Sequence, residues 1–146
     1  MLRKFGLAAF AIALAGAFFT LSAAFAAEEK KEKEGKKEET ASIHDIMESV
    51  PGKKGLVAKL GTAAKDEKWD DAAKIGETLK KYGADLGKNT PEKGSKESWA
   101  KLSKKFQENM DALAKGAADK DAKAIGEASK SFGSSCKSCH DAHQKK

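Results

Sequence analysis

This chain is short of the residues that build strands. Its 146 residues include one tyrosine, two tryptophans, two prolines and two valines, Val50 and Val57. With so few β-branched and aromatic residues and no hairpin pattern, strands have almost nothing to form from. Phosphate loops, nucleophile constellations and acid/base pairs are also missing, so nothing points to an enzyme. Lysines and acids are interspersed, and no basic cluster is interleaved with aromatics, so the formal net charge of +6 describes a solvated surface and not a nucleic-acid patch. Two cysteines are too few for a disulfide framework.

Those two cysteines are the most informative residues present. They sit in Cys136-Lys137-Ser138-Cys139-His140, a C-x-x-C-H run. In that arrangement two thiols can add across the vinyl groups of a haem, and the next residue can ligate its iron. On a helix, positions i, i+3 and i+4 share a face, so Cys136, Cys139 and His140 point the same way. Three other chemistries need weighing. A thioredoxin-type pair needs a βαβ context, which is missing. A zinc site from Cys136, Cys139, His140 and His143 would draw every ligand from one side of one helix, whereas tetrahedral closure needs donors from around the metal. A disulfide three residues long would close a tiny loop and stabilise little. One covalently bound haem c is the expectation.

The N-terminus has the pattern of an export signal. A basic Met1-Leu2-Arg3-Lys4 precedes an apolar run from Phe5 to Leu21, and Ala24-Phe25-Ala26 offers small residues where signal peptidase reads. Residues 1–26 read as a signal peptide cleaved after Ala26; an uncleaved anchor is the alternative. Loss of Arg3 and Lys4 lowers the formal charge from +6 to +4. The expected location is the periplasm, with no membrane span after cleavage. Residues 27–41 read as a disordered charged tether. The stretch Glu28–Glu39 has no apolar residue with which to offset its ordering entropy.

Residues 42–146 read as the folded domain, with four helices in it. Helix A opens at Ser42, with Asp45 three residues on in capping-box fashion, and presents Ile43, Ile46, Met47 and Val50. Pro51-Gly52 breaks or kinks it, and a second piece with Leu56, Val57 and Leu60 runs to about Lys65. Helix B covers Lys68 to Leu86, with Ala72, Ile75, Leu79, Tyr82 and Leu86 on one face. After a loop at Asn89–Gly94, helix C runs from about Ser95 to Ala117 with Trp99, Leu102, Phe106, Met110 and Leu113 inward. Helix D runs from about Asp119 to Gln144. Its stripe of Ile125, Ala128, Phe132, Cys136, Cys139 and His143 carries the motif without a phase break. Short connections predict an all-α fold, an antiparallel up-down-up-down four-helix bundle with covalently bound haem.

Bundle geometry says what lies level with His140. At a rise of about 1.5 Å per residue, His140 lies roughly 6 Å from the end of helix D, and Met47 lies 7–8 Å from the start of the antiparallel helix A. Tyr82, Leu86 and Trp99 fall in the same layer and complete the expected haem pocket, with Phe132 about two turns away.

At this point the chain resembles the class II c-type cytochromes, the cytochrome c′ family. The resemblance rests on a single C-x-x-C-H near the C-terminus, continued by Asp141-Ala142, and on the four-helix reading of residues 42–144. Two features depart from it: His143 and Gln144 stand where an aromatic and a basic residue are common, and Pro51-Gly52 interrupts helix A. The resemblance implies that Cys136 and Cys139 attach the haem and that His140 is the proximal ligand. High-spin members leave the sixth position open and bind small gases such as NO or CO. Low-spin members fill it with a methionine from helix A and carry electrons. Members are often dimers, so a homodimer is one form this chain can take.

For the sixth position the options are Met47, His44 or nothing. Met110 lies roughly 15 Å or more along the bundle. His143 shares a helix with the proximal ligand and cannot cross to the other side. His44 sits on the flank of the stripe. A methionine at this spacing is by default core filling, but Met47 is level with His140. The chain therefore reads as a periplasmic one-electron carrier with redox partner proteins, or as a five-coordinate haem protein that binds gases. The two readings part at Met47.

Overall fold

The computed structural model describes residues 39–145. The signal-peptide reading of residues 1–26, and the tether as far as residue 38, lie outside the described residues. Five α-helices form: α1 (Ile43–Ser49), α2 (Leu56–Lys65), α3 (Trp69–Leu86), α4 (Lys96–Ala118) and α5 (Ala122–His143). No strand forms among the described residues.

Helix starts follow local chemistry. At α1, Ser42 Oγ accepts from the Asp45 N–H at 3.1 Å and Asp45 accepts from the Ser42 N–H at 3.3 Å, closing the capping box. Ser95 caps α4 through the Ser98 N–H at 3.1 Å. Asp121 caps α5, accepting from the N–H groups of Lys123 and Ala124 at 3.0 and 2.9 Å. Helix α5 thus begins three residues later than the Asp119 expected from periodicity, because Lys120 turns left-handed at φ 56°.

Helix A is two helices, not one kinked helix. Pro51 has no N–H to continue α1, and Gly52 takes φ +87°. A side chain at Gly55 would collide with the carbonyl oxygen of Pro51, so a glycine is needed where α2 starts. The first helix is left with seven residues, too few to be stable alone.

Helices α3 and α4 pack side by side, as do α4 and α5, while α2 lies on both α3 and α5. Four helices therefore close a ring around one core, in which Leu60, Leu79, Leu86, Met110, Leu113 and Ile125 are buried. Each such side chain contributes about 1.5–3 kcal/mol by leaving water. Met110 is part of this core and not of the motif's surroundings. Ile46 and Val50 extend the core from α1 and are fully buried. Between α4 and α5, buried Asn109 accepts from Ser131 Oγ at 2.8 Å and donates to Ser135 Oγ at 3.3 Å. This pairing fixes the register of the two helices one turn before the cysteines.

Candidate haem site

Cys136, Cys139 and His140 lie within α5, on the turns after Phe132. A small cavity of about 40 Å³ opens beside them. Helix α5 supplies one wall with Phe132, Ser135, Cys136, Cys139 and His140. Facing it are Leu102 and Phe106 from α4, Leu86 from the end of α3, Met47 from α1 and Pro51 from the break. Phe106 and Phe132 meet edge to face, centroids 5.8 Å apart. The lining is apolar except for Ser135 and the donors of the motif.

Both cysteines are half-buried, and burial pushes both thiols up from their usual pKa. Cys136 adds a repulsive charge effect on Cys139. Each sulfur is therefore a protonated thiol at neutral pH, and Cys136 Sγ donates to the Phe132 carbonyl at 3.4 Å. His140 lines the cavity and keeps an exposed side. Two thiols and an imidazole thus sit on one rim, with a thioether on another wall. The cavity is far smaller than a haem. The donor set fits the group nonetheless: sulfur nucleophiles at i and i+3, a nitrogen ligand at i+4 and a neutral sulfur ligand from a separate element.

Of the expected pocket residues, Met47 and Leu86 line the cavity with the motif; Tyr82 and Trp99 do not. Tyr82 lies one turn before Leu86 on α3 and packs half-buried against the core. Trp99 lies one turn before Leu102 on α4. It is taken up by His143, whose ring meets the indole edge to face at 5.2 Å. The Trp99 Nε1–H is buried without an acceptor. His44 points to solvent, 87% exposed, with Nε2 3.8 Å from Glu48 Oε2. Ile46, about 200° round the helix from it, takes the inward face. His44 is therefore no part of the cavity.

Height arithmetic also left out residues that do line it. Phe132 belongs to the wall itself, because the wall runs eight residues back from His140, about 12 Å along α5. Leu102 and Phe106 follow Trp99 on the inward stripe of α4, and that stripe was the available signal. Pro51 carried no such signal, since a helix break reads as punctuation.

His143 is buried but turned away from the cavity. Its Nδ1 lies 2.8 Å from the Lys93 carbonyl, and its Nε2 lies 3.0 Å from Ser98 Oγ. A carbonyl only accepts, so Nδ1 carries a proton and donates to it. His143 thereby fastens the end of α5 to the loop before α4. Among the described residues no three His, Cys, Asp or Glu side chains converge as metal ligands.

The wall bearing Met47 is held from α3. The Ala41 N–H donates to Asp85 Oδ2 at 3.1 Å, and the Ala41 carbonyl accepts from Asn89 Nδ2 at 3.0 Å. Asp85 is 2% exposed and also accepts from Lys81 Nζ at 2.7 Å and Lys88 Nζ at 2.8 Å. Burial pushes its carboxyl up. Hydrogen bonds from Lys81, Lys88 and Ala41 outweigh that and hold it well below the usual carboxylate range. Ala41, assigned to the charged tether on sequence, is thus part of the folded unit.

Residues 93–144, spanning α4 and α5, match the family model of cytochrome C′. Over these two helices the chain is similar to the cytochrome c′ family. No curated protein and no solved structure matches it. That family carries haem, and the matched segment contains the C-x-x-C-H run. It also contains Leu102, Phe106 and Phe132 of the cavity wall, and the His143 tie to Lys93. It does not contain α1, so the family match is silent on Met47. No helix among the described residues is long and apolar enough to cross a membrane.

Proposed function

We propose that this chain is an exported, periplasmic mono-haem c-type cytochrome that passes single electrons between redox partner proteins. In this reading Cys136 and Cys139 hold one haem c through thioether bonds, His140 is the proximal ligand and Met47 the distal one. The ring of α2 to α5, joined by short turns, is an up-down-up-down bundle with α1 laid across one end. The observation that carries the reading is that Met47 and His140, on the first and last helices, line the same cavity.

When bound, haem supplies a one-electron Fe(III)/Fe(II) couple. The chain's residues set the terms of that couple. A thioether from Met47 is neutral and favours the ferrous state, raising the reduction potential. Leu86, Leu102, Phe106 and Phe132 keep water from the metal side of the cavity. Cys136 and Cys139 would fix the orientation of α5 relative to the group, and His140, which keeps an exposed side, would hold its iron near the surface.

A second reading has one observation in its favour. Met47 is only half-buried and sits on a helix of seven residues, so a diatomic gas could displace it. Absorption spectra of the holoprotein separate the two: oxidised, and reduced with and without CO. A methionine–iron charge-transfer band, lost in Met47→Ala, is the outcome expected of the carrier. High-spin spectra in the unmutated protein, with ready CO binding, would refute methionine ligation and leave the gas-binding reading.

A further inference from the structure

We propose that Asp85 and Asn89, at the end of α3, are positioning residues that latch α1 and thereby set Met47 against the cavity. The proposal rests on Met47 as the distal ligand, and its test separates the two.

Both polar groups of one backbone residue are held. Ala41 donates its N–H to Asp85 Oδ2 at 3.1 Å, and its carbonyl accepts from Asn89 Nδ2 at 3.0 Å. Asn89 Nδ2 also reaches the Asp85 carbonyl at 2.9 Å, which ties the two latch residues together. Lys81 Nζ bridges the same place, 2.7 Å from Asp85 Oδ2 and 3.3 Å from the Glu39 carbonyl. Only one register of residues 39–41 satisfies these bonds at once. Ser42, the next residue, is the cap of α1. The latch therefore fixes where the helix begins, and the helix rise fixes where Met47 stands, about 7–8 Å beyond the cap.

Helix α1 needs such fastening. Its seven residues cannot hold a helix by themselves. Its far end runs into Pro51 and the left-handed Gly52, so α2 does not stiffen it. Ile46 and Val50 bury its apolar side, but apolar contact is non-directional and leaves sliding and rotation open. A buried carboxylate is a costly way to gain stability alone, since a well-packed apolar residue often does as well. What it adds here is direction. The latch is also close to the site: Leu86, next to Asp85, lines the cavity that Met47 lines.

The experiment uses holoprotein with the substitutions Asp85→Ala, Asp85→Asn, Asn89→Ala and Met47→Ala. Three quantities are read: amide hydrogen exchange over residues 43–50, the methionine–iron charge-transfer band, and the CO association rate of the reduced protein. Loss of a latch bond should speed exchange in α1 on the order of tenfold, with α3 to α5 unchanged. The band should weaken, and CO association should rise on the order of tenfold with the population of undocked α1. Asp85→Asn, which keeps an acceptor for the Ala41 N–H, should fall between Asp85→Ala and the unmutated protein. Asn89→Ala removes the latch bond to the Ala41 carbonyl without emptying a buried charge site, so it reports even if Asp85→Ala does not fold. Unchanged exchange over residues 43–50 in Asn89→Ala would overturn the proposal. So would faster exchange with an undiminished band and unchanged CO rate, because α1 would then be tethered without being positioned. A spectrum unaltered by Met47→Ala would refute methionine ligation alone; the latch would then stand or fall on the exchange of residues 43–50.

Discussion

Gly94→Ala should weaken the end of the bundle that presents the haem motif. Gly94 has φ +88°, where an alanine costs about 1 kcal/mol or somewhat more. A Cβ there would also lie 2.5 Å from His143 Nδ1, 2.6 Å from its Cε1 and 2.8 Å from the Ala142 carbonyl oxygen. The imidazole cannot simply swing aside, because Lys93, Ser98 and Trp99 hold it on three sides. Overpacking of this kind costs about 1–3 kcal/mol. The total comes to about 3 kcal/mol, or about 12 °C in Tm for a domain of this size. His143→Ala loses two hydrogen bonds and the aromatic contact, also about 3 kcal/mol. The double variant should fall about 2 kcal/mol short of the sum of the two, since the ring is both the obstacle in one and the loss in the other. Urea and thermal unfolding of the holoprotein, followed by far-ultraviolet circular dichroism, give all three values. Additivity within about 0.5 kcal/mol would show that the glycine and the histidine do not share this contact, and would refute the reasoning.

Acid should loosen α1 through Asp85. Its folded pKa is lowered, so its contribution to stability is complete above the unfolded value of about 3.9 and is lost as pH falls below that. Asp85→Asn should therefore narrow the gap in stability between pH 7 and pH 3, as measured by urea midpoints; an equal gap in both proteins would contradict the assignment. Two helix glycines should respond with opposite sign. A Cβ at Gly83 would press on Met110 Cβ at 2.9 Å and Gln107 Cα at 3.2 Å, so Gly83→Ala should destabilise the α3–α4 contact by about 1–2 kcal/mol. At Gly126 a Cβ meets nothing within 4 Å, and Gly126→Ala should stabilise α5 by about 0.5–1 kcal/mol. Midpoints moving the same way in both would argue against the α3–α4 close approach.

Helical periodicity made most of the architecture legible. The stripes on α3, α4 and α5 depend only on spacing; Leu79, Leu113 and Ile125 of those read as inward are buried, while Ile75, Tyr82 and Leu102 are half-buried at the edge of the core. The motif was legible for a similar reason, since its spacing and its chemistry coincide. What spacing could not show was partner choice. Trp99 and Leu102 share a stripe, yet His143 draws the first away and the second lines the cavity. Tyr82 and Leu86 divide in the same way across one turn of α3. Long-range polar bonds were equally hidden. Nothing local to Asp85 announces that its carboxylate will meet an N–H 44 residues earlier, so Ala41 was left in the tether. The break at Pro51 was visible, but whether it bends one helix or makes two depends on Gly55 and the tight turn it permits.

That break bears on the order in which the molecule is assembled. Met47 and the C-x-x-C-H run come from opposite ends of the folded chain, and the 40 Å³ between them admits no macrocycle. Four helices can close their ring while α1, hinged at Pro51, still stands off. The cysteines then remain reachable from outside on a scaffold that is already built. Docking of α1 would then be the last step of assembly, and the interruption in the first helix is the point about which that segment would swing to bring Met47 against the motif.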